Sequence, residues 1–111
     1  MVVLNVTYKC KSGKREEFLE AVKTEKIGEL CRQEEGNIRY DFYLSAEDPD
    51  GMMLLEQWAD EGILSKHQQQ PHFKRMGELK KDFVEETIFE KYIAELPEHP
   101  EKAKELGLLK K

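Results

Sequence analysis

Apolar and polar positions along the chain repeat with two different periods, and the switches between them divide it into elements. Val2–Tyr8 (VVLNVTY) is β-branched and aromatic and ends in the polar turn Lys9–Gly13, which predicts a strand. Both of its alternating faces are mostly apolar, so it is expected to be covered on both sides, with Asn5 the polar intruder on the Val3/Asn5/Thr7 face. Lys14–Glu35 carries a helical stripe of Phe18, Val22, Leu30 and Cys31, with Leu19, Ala21 and Ile27 alongside, and is predicted as one long amphipathic helix. Ser12 is the candidate cap at its start and Gly36 the left-handed stop, while Gly28 marks either a close packing contact or a bend. Ile38–Ser45 alternates, with Ile38, Tyr40, Phe42 and Leu44 on one face and Arg39, Asp41 and Tyr43 on the other. The turn-rich run Glu47–Gly51 joins it to Met52–Ala59, so these two strands form a hairpin. A short helix over Glu61–Gln70, a second from Pro71 to about Lys81, and a strand over Val84–Ala94 complete the pattern.

The resulting order, β-α-β-β-α-β with the second helix split, predicts an α+β, ferredoxin-like domain over residues 1–95: a four-stranded antiparallel sheet with helices on one face. Residues 96–111 form a charged tail after the Pro97-Glu98-His99-Pro100 break, with a short helix as one expectation. A helical layer covers only one face of such a sheet. The apolar content of the other face predicts a homodimer in which two sheets close into an α+β barrel.

Composition sharpens this picture by exclusion. The chain has 111 residues, 37% of them charged, and a net charge of −5. Nucleic-acid binding rests largely on neutralising phosphates, which an acidic chain without a basic block does poorly. No apolar run approaches the length of a membrane span, and the first ten residues lack a basic region ahead of their apolar stretch, so neither a membrane anchor nor a signal peptide is expected. Cys10 and Cys31 make no CxxC pair and no disulfide framework, which fits a reduced, cytoplasmic setting.

Few residues carry chemistry. His67 and His72 are spaced His-x4-His with Pro71 between them, so they do not share one helix face in the zincin manner, and the cysteines sit on separate elements. No metal site is expected. Each histidine is either a surface or helix-end residue or a pocket base working near neutral pH. Asn5 is either bonded to a neighbour or free to polarise a bound oxygen. Glu56 and Trp58 share a strand face with Met52 and Leu54; Trp58 is core or the wall of a pocket for a flat ring, and Glu56 an ion-pair partner or the pocket's acid. Tyr40, Phe42, Phe73 and Met76 are core or pocket lining.

The stretches Gly36-Asn37-Ile38-Arg39-Tyr40, Leu55-Glu56-Gln57-Trp58, Leu64-Ser65-Lys66-His67 and Pro71-His72-Phe73, in this order, resemble the antibiotic biosynthesis monooxygenase family. The resemblance covers roughly residues 2–93 and is strongest to quinol monooxygenase-like members. It implies a dimeric α+β barrel and a cofactor-independent monooxygenase oxidising a quinol or similar electron-rich aromatic or enol, with O2 as co-substrate. It places His67, His72 and Asn5 as catalytic residues and Trp58, Tyr40, Phe42, Glu56, Phe73 and Met76 around the substrate. The alternatives are an isomerase-like enzyme on a small phosphorylated carbonyl compound, as in the autoinducer-2 isomerase branch, with Lys74 and Arg75 near the phosphate, or a non-catalytic dimeric ligand-binding domain. The haem-degrading branch carries a Trp in the helix after the third strand and a His ten residues on. This chain has His67 in that helix and Gly77 ten beyond it, a departure that argues against haem.

Overall fold

The computed structural model describes residues 1–95; the tail and its expected short helix lie outside the described residues. The elements run β1 (Val2–Cys10), α1 (Arg15–Thr24), α2 (Ile27–Gln33), β2 (Asn37–Leu44), β3 (Gly51–Trp58), α3 (Glu61–His67), α4 (Pro71–Phe83) and β4 (Val84–Ile93). The strands form one antiparallel sheet in the order β2-β3-β1-β4. This is the expected ferredoxin-like α+β arrangement.

Strand alternation decides which side chains meet the helices. Val2, Leu4, Val6, Tyr8 and Cys10 of β1 join Met52, Leu54 and Trp58 of β3 in a core shared with Phe18, Val22, Ile27, Cys31, Leu64, Met76 and Leu79. Every helix contributes to that one core, so all four pack on the same side of the sheet. The opposite side carries Val3, Asn5 and Thr7, with Met53, Leu55 and Gln57 across from them on β3 and Ile88, Glu90 and Tyr92 on β4.

Four local expectations are corrected. The long helix is two helices, with Lys26 between them in the left-handed region at φ 56°. The buried residues explain the break. Phe18 to Val22 and Ile27 to Cys31 are helical steps of four, but Val22 to Ile27 is a step of five. On one straight helix Ile27 would sit about 140° from Val22 at 3.6 residues per turn. The left-handed residue absorbs the slip and returns Ile27 to the core. Leu30, expected in the stripe, is exposed, and no side chain caps α1, whose N-cap is Lys14 rather than Ser12. In β2 a register shift between Asn37 and Arg39 places Asn37, not Ile38, opposite Trp58. Beyond it Tyr40 is buried and Leu44 is exposed.

Two contacts seat the loop between α2 and β2. The Arg32 guanidinium donates to the Tyr40 carbonyl at 2.9 Å. Gly36, left-handed at φ 83°, accepts from the Ala59 amide at 2.8 Å. Ile63 on α3 presses against Gly36 so closely that a Cβ there would lie 2.6 Å from its Cγ2. Asp60 caps α3 by accepting from the Ile63 amide at 2.8 Å, which fixes the helix that makes this contact. Gly36→Ala is therefore expected to destabilise the fold by about 2 kcal/mol or more, the left-handed penalty alone being roughly 1–2 kcal/mol. Part of that loss should return when Ile63→Ala is added, as read by urea unfolding of the single and double variants. Strictly additive losses would show that the Ile63 contact is not the constraint.

Candidate functional site

The turn that Gly36 permits leaves Glu34, the extended residue closing α2, pointing at the junction of α3 and α4. His67 ends α3 and His72 lies in the first turn of α4, with Pro71 starting that helix between them. Both imidazoles fall on one atom. Glu34 Oε2 lies 2.7 Å from His67 Nδ1 and 2.8 Å from His72 Nε2. A carboxylate only accepts, so each of those nitrogens carries the proton and donates. His67 Nε2 is then the lone-pair nitrogen, and it faces Glu56 Oε1 at 3.8 Å.

The ring is clamped on its remaining sides. Trp58 stacks on His67 with centroids 4.3 Å apart, and Phe73 meets it edge-on at 5.3 Å. The Trp58 indole N–H donates to Glu56 Oε1 at 3.0 Å, so the two groups flanking His67 also hold each other. His67 is only 2% exposed. Burial lowers its pKa, partly offset by the hydrogen bond to Glu34, so the neutral ring prevails near pH 7. Glu56 shifts the opposite way. Burial pushes its carboxyl up to about 7, against the indole hydrogen bond, with the Glu34 charge adding to the rise.

His67 and Glu56 border a cavity of about 170 Å³ between sheet and helices. Leu4, Leu54 and Leu64 make much of its apolar wall, and Tyr8, Tyr40, Phe73 and Met76 add aromatic and thioether surface. Burial raises the Tyr8 and Tyr40 hydroxyls well above the ordinary tyrosine range, so both stay protonated. Lys80 reaches the cavity from α4, its ammonium 5.5 Å from the centre of the Tyr8 ring and 5.7 Å from that of Phe89.

The expected site residues thus divide. His67, Glu56, Tyr40, Phe73 and Met76 line one cavity. Trp58 stands behind His67, and His72 does not line the cavity but is joined to His67 through Glu34. Phe42 packs edge-to-face on Tyr40 at 5.6 Å and lines a neighbouring groove instead. Asn5 is on the other side of the sheet, opposite Leu55 and Glu90, because the even-numbered residues of β1 are the ones that face the helices. A polarising role for Asn5 in this cavity is therefore corrected. Lys74 and Arg75 do not line the cavity either, and Arg75 is bound to Glu25 and Glu78 on the outside of α4.

Glu34, Tyr8 and Lys80 are not among the site residues that the sequence pattern predicts. Tyr8 continues the Val2/Leu4/Val6 alternation, and Lys80 lies one turn beyond Met76 and beside Leu79, so both had a periodic signal. Glu34 had none: it is the middle one of three acids and amides, Gln33, Glu34 and Glu35, and only the turn geometry selects it.

Comparison with known proteins agrees with this architecture. The family model described as "Antibiotic biosynthesis monooxygenase" matches residues 1–79. A Bacillus subtilis protein named "Putative monooxygenase YcnE" is 35% identical over 74 residues, covering 67% of this chain and 76% of its own. A solved structure from Nitrosomonas europaea, described as a "Putative antibiotic biosynthesis monooxygenase", superposes with TM-score 0.76 at 28% identity, covering 85% of this chain and 98% of that one. A conserved protein from Methanosarcina mazei Go1 superposes with TM-score 0.74 at 32% identity, over 82% of this chain and 89% of that one. No described helix is long and apolar enough to cross a membrane. With the match spanning most of the described fold, the chain belongs to the antibiotic biosynthesis monooxygenase family.

Proposed function

We propose that the cavity is the active site of a cofactor-independent monooxygenase acting on a quinol or a similar electron-rich phenol or enol. The observation that carries this reading is the setting of His67: its Nδ1 lies against Glu34, Trp58 and Phe73 fix its plane, its Nε2 faces Glu56, and the ring lines an apolar cavity. That is the arrangement of a general base oriented by a carboxylate. A quinol hydroxyl seated between His67 Nε2 and Glu56 loses its proton to His67. The resulting anion is electron-rich enough to pass one electron to O2. Collapse of the radical pair forms a C–O bond and a hydroperoxide, and O–O cleavage leaves a hydroxyquinone and water. One oxygen atom ends in the product and the other in water, and the substrate supplies all four electrons. Lys80 stabilises the anion and the reduced oxygen, the part first expected of Asn5, and the apolar walls keep bulk water from quenching them. His72 is a positioning residue that shares the Glu34 oxygen.

The second part of the proposal is that the protein works as a homodimer through the sheet face without helices. On that face Met53, Leu55 and Val3 lie at the centre, with Tyr43, Ile88 and Tyr92 toward the edges. Tyr43, Ile88 and Tyr92 are exposed in the single chain. This is more apolar surface than a solvated face needs.

Three outcomes are expected. His67→Gln should lower quinol-dependent oxygen uptake by roughly 10²–10⁴-fold, as for loss of a general base. Uptake in a panel of quinols that is equal in wild type and variant would remove His67 from the chemistry. Glu56→Gln bears on stability as well. With its folded pKa about 7 and its ordinary value 4.5, Glu56 favours the fold below pH 4.5, and that contribution is lost as pH rises to 7. The amide keeps an acceptor for Trp58 and never ionises, so the variant should exceed the wild type at pH 8 by up to about 3 kcal/mol and show no such gain at pH 4. Chemical unfolding at the two pH values measures this, and a gain of equal size at both would sink the assignment. Finally, sedimentation should give twice the 13.0 kDa chain mass, and Leu55→Glu should shift it toward one. A wild-type monomer at micromolar concentration rules out the sheet-face dimer.

A further inference from the structure

His67 has a second edge that the proposed chemistry does not use. On the side away from the cavity, one ligand atom each of Cys31, Glu34, His67 and His72 lie within 4.8 Å of one another. We propose that these four side chains form a binding site for a single divalent transition-metal ion of the zinc class.

The donor set argues for that class. A thiolate, two imidazole nitrogens and a carboxylate oxygen are ligands that zinc takes in tetrahedral geometry, whereas calcium and magnesium select oxygen. Bond lengths of about 2.0–2.3 Å place neighbouring ligand atoms of a tetrahedron roughly 3.3–3.6 Å apart. The two Glu34 contacts at 2.7 and 2.8 Å need to open by about half an ångström, and the longer pairs within the 4.8 Å limit need to close. Side-chain rotation supplies both.

Charge argues the same way. Cys31 as thiolate and Glu34 as carboxylate carry two negative charges, and the histidines bind neutral. A divalent ion brings the buried cluster to zero, the condition under which burial is tolerated. The surroundings supply outer support. If His67 Nδ1 binds the metal, its proton resides on Nε2 and points at Glu56, 3.8 Å away and itself held by Trp58. Ligating histidines recurrently donate their free N–H to a carboxylate in this way. Tyr40 hydrogen-bonds Cys31 and so supports the sulfur.

The ligands come from two rigid places. Cys31 and Glu34 are three residues apart at the end of α2, and His67 and His72 flank the α3–α4 junction. Cys31 and His67 are buried, while the Glu34 and His72 side chains keep 14% and 12% of their exposure, which gives an ion a way in. The expectation of no metal rests on the His-x4-His spacing and on cysteines on separate elements; the fold brings the end of α2, with Cys31 and Glu34, to the two histidines. Metal binding stands independently of the oxygenase reading, but the two states of His67 exclude each other: the ion takes the tautomer whose Nε2 is protonated and cannot act as base.

The test uses the full chain after removal of metal with a chelator. Titration with Co2+ should give one equivalent per chain, with the visible bands of a tetrahedral site and a sulfur-to-cobalt charge-transfer band. Zn2+ should displace it and raise Tm. Cys31→Ser should abolish the charge-transfer band. His72→Gln, at a partly exposed position, should weaken Zn2+ binding by roughly tenfold or more, and Glu56→Gln by about tenfold through the outer contact. Circular dichroism of each variant establishes that it folds, and His72→Gln carries the test if Cys31→Ser does not. Absence of a cobalt spectrum and of any Zn2+-dependent rise in Tm overturns the proposal. So does stoichiometric binding that Cys31→Ser and His72→Gln leave unchanged.

Discussion

The site depends on one oxygen atom. Glu34 Oε2 accepts from His67 and from His72 and so joins the ends of α3 and α4 to the end of α2. A carboxylate this little exposed is costly unless its lone pairs are filled, and two imidazole N–H groups fill them. The same bonds fix the tautomer of His67 and therefore the chemistry of its far nitrogen. Several features of the fold serve this contact. Gly36 turns the chain immediately after Glu34, the Arg32 guanidinium ties α2 to β2, and Ile63 sets the distance of α3 from the turn.

Around that oxygen, the two acids have different partners. Glu34 has two donors. Glu56 has one, the Trp58 indole, and burial dominates there, pushing its carboxyl toward neutral pH. One buried histidine thus sits between a carboxylate that holds its proton and a carboxyl that shares the cavity. Two acids in unlike environments next to a base are what divides donor and acceptor roles in a small active site. The −5 net charge of the chain has no part in this, because the charges that matter are the few taken out of water.

How much of this was legible depended on whether the signal was periodic. Strand alternation gave the sheet and put Glu56 and Trp58 on one face with Met52 and Leu54, which is where they are. It also carried the information that Asn5 and Val2 lie on opposite faces. What it lacked was the knowledge of which face the helices cover, since both looked apolar, and Asn5 was read against the wrong layer. The break at Lys26 was present as a step of five between Val22 and Ile27, small enough to pass as one stripe. The β2 irregularity had no such trace: the alternation of Ile38–Ser45 does not show that Asn37, ahead of it, pairs with Trp58 and is buried. Glu34 is the clearest case of information that is not local. Its role arises from a left-handed glycine two residues later and two histidines more than thirty residues away.

That non-local origin explains why one cluster is open to both of the proposed chemistries. An imidazole has two nitrogens, and the fold gives each a different neighbourhood: an apolar cavity beside Glu56 for one, and Glu34, His72 and Cys31 for the other. A proton on Nδ1 leaves the cavity side basic. An ion on Nδ1 sends the proton to the cavity side and leaves a donor there. The ligands around the ion rotate to admit it, but the ring itself keeps its place in both states, since Trp58, Phe73 and Glu56 hold it. What changes on the ring is the placement of one hydrogen, and the carboxylates on either side are arranged to receive it from either nitrogen. Rigidity of the ring and freedom of its proton are therefore the same structural fact, and Glu34 is the residue through which both are imposed.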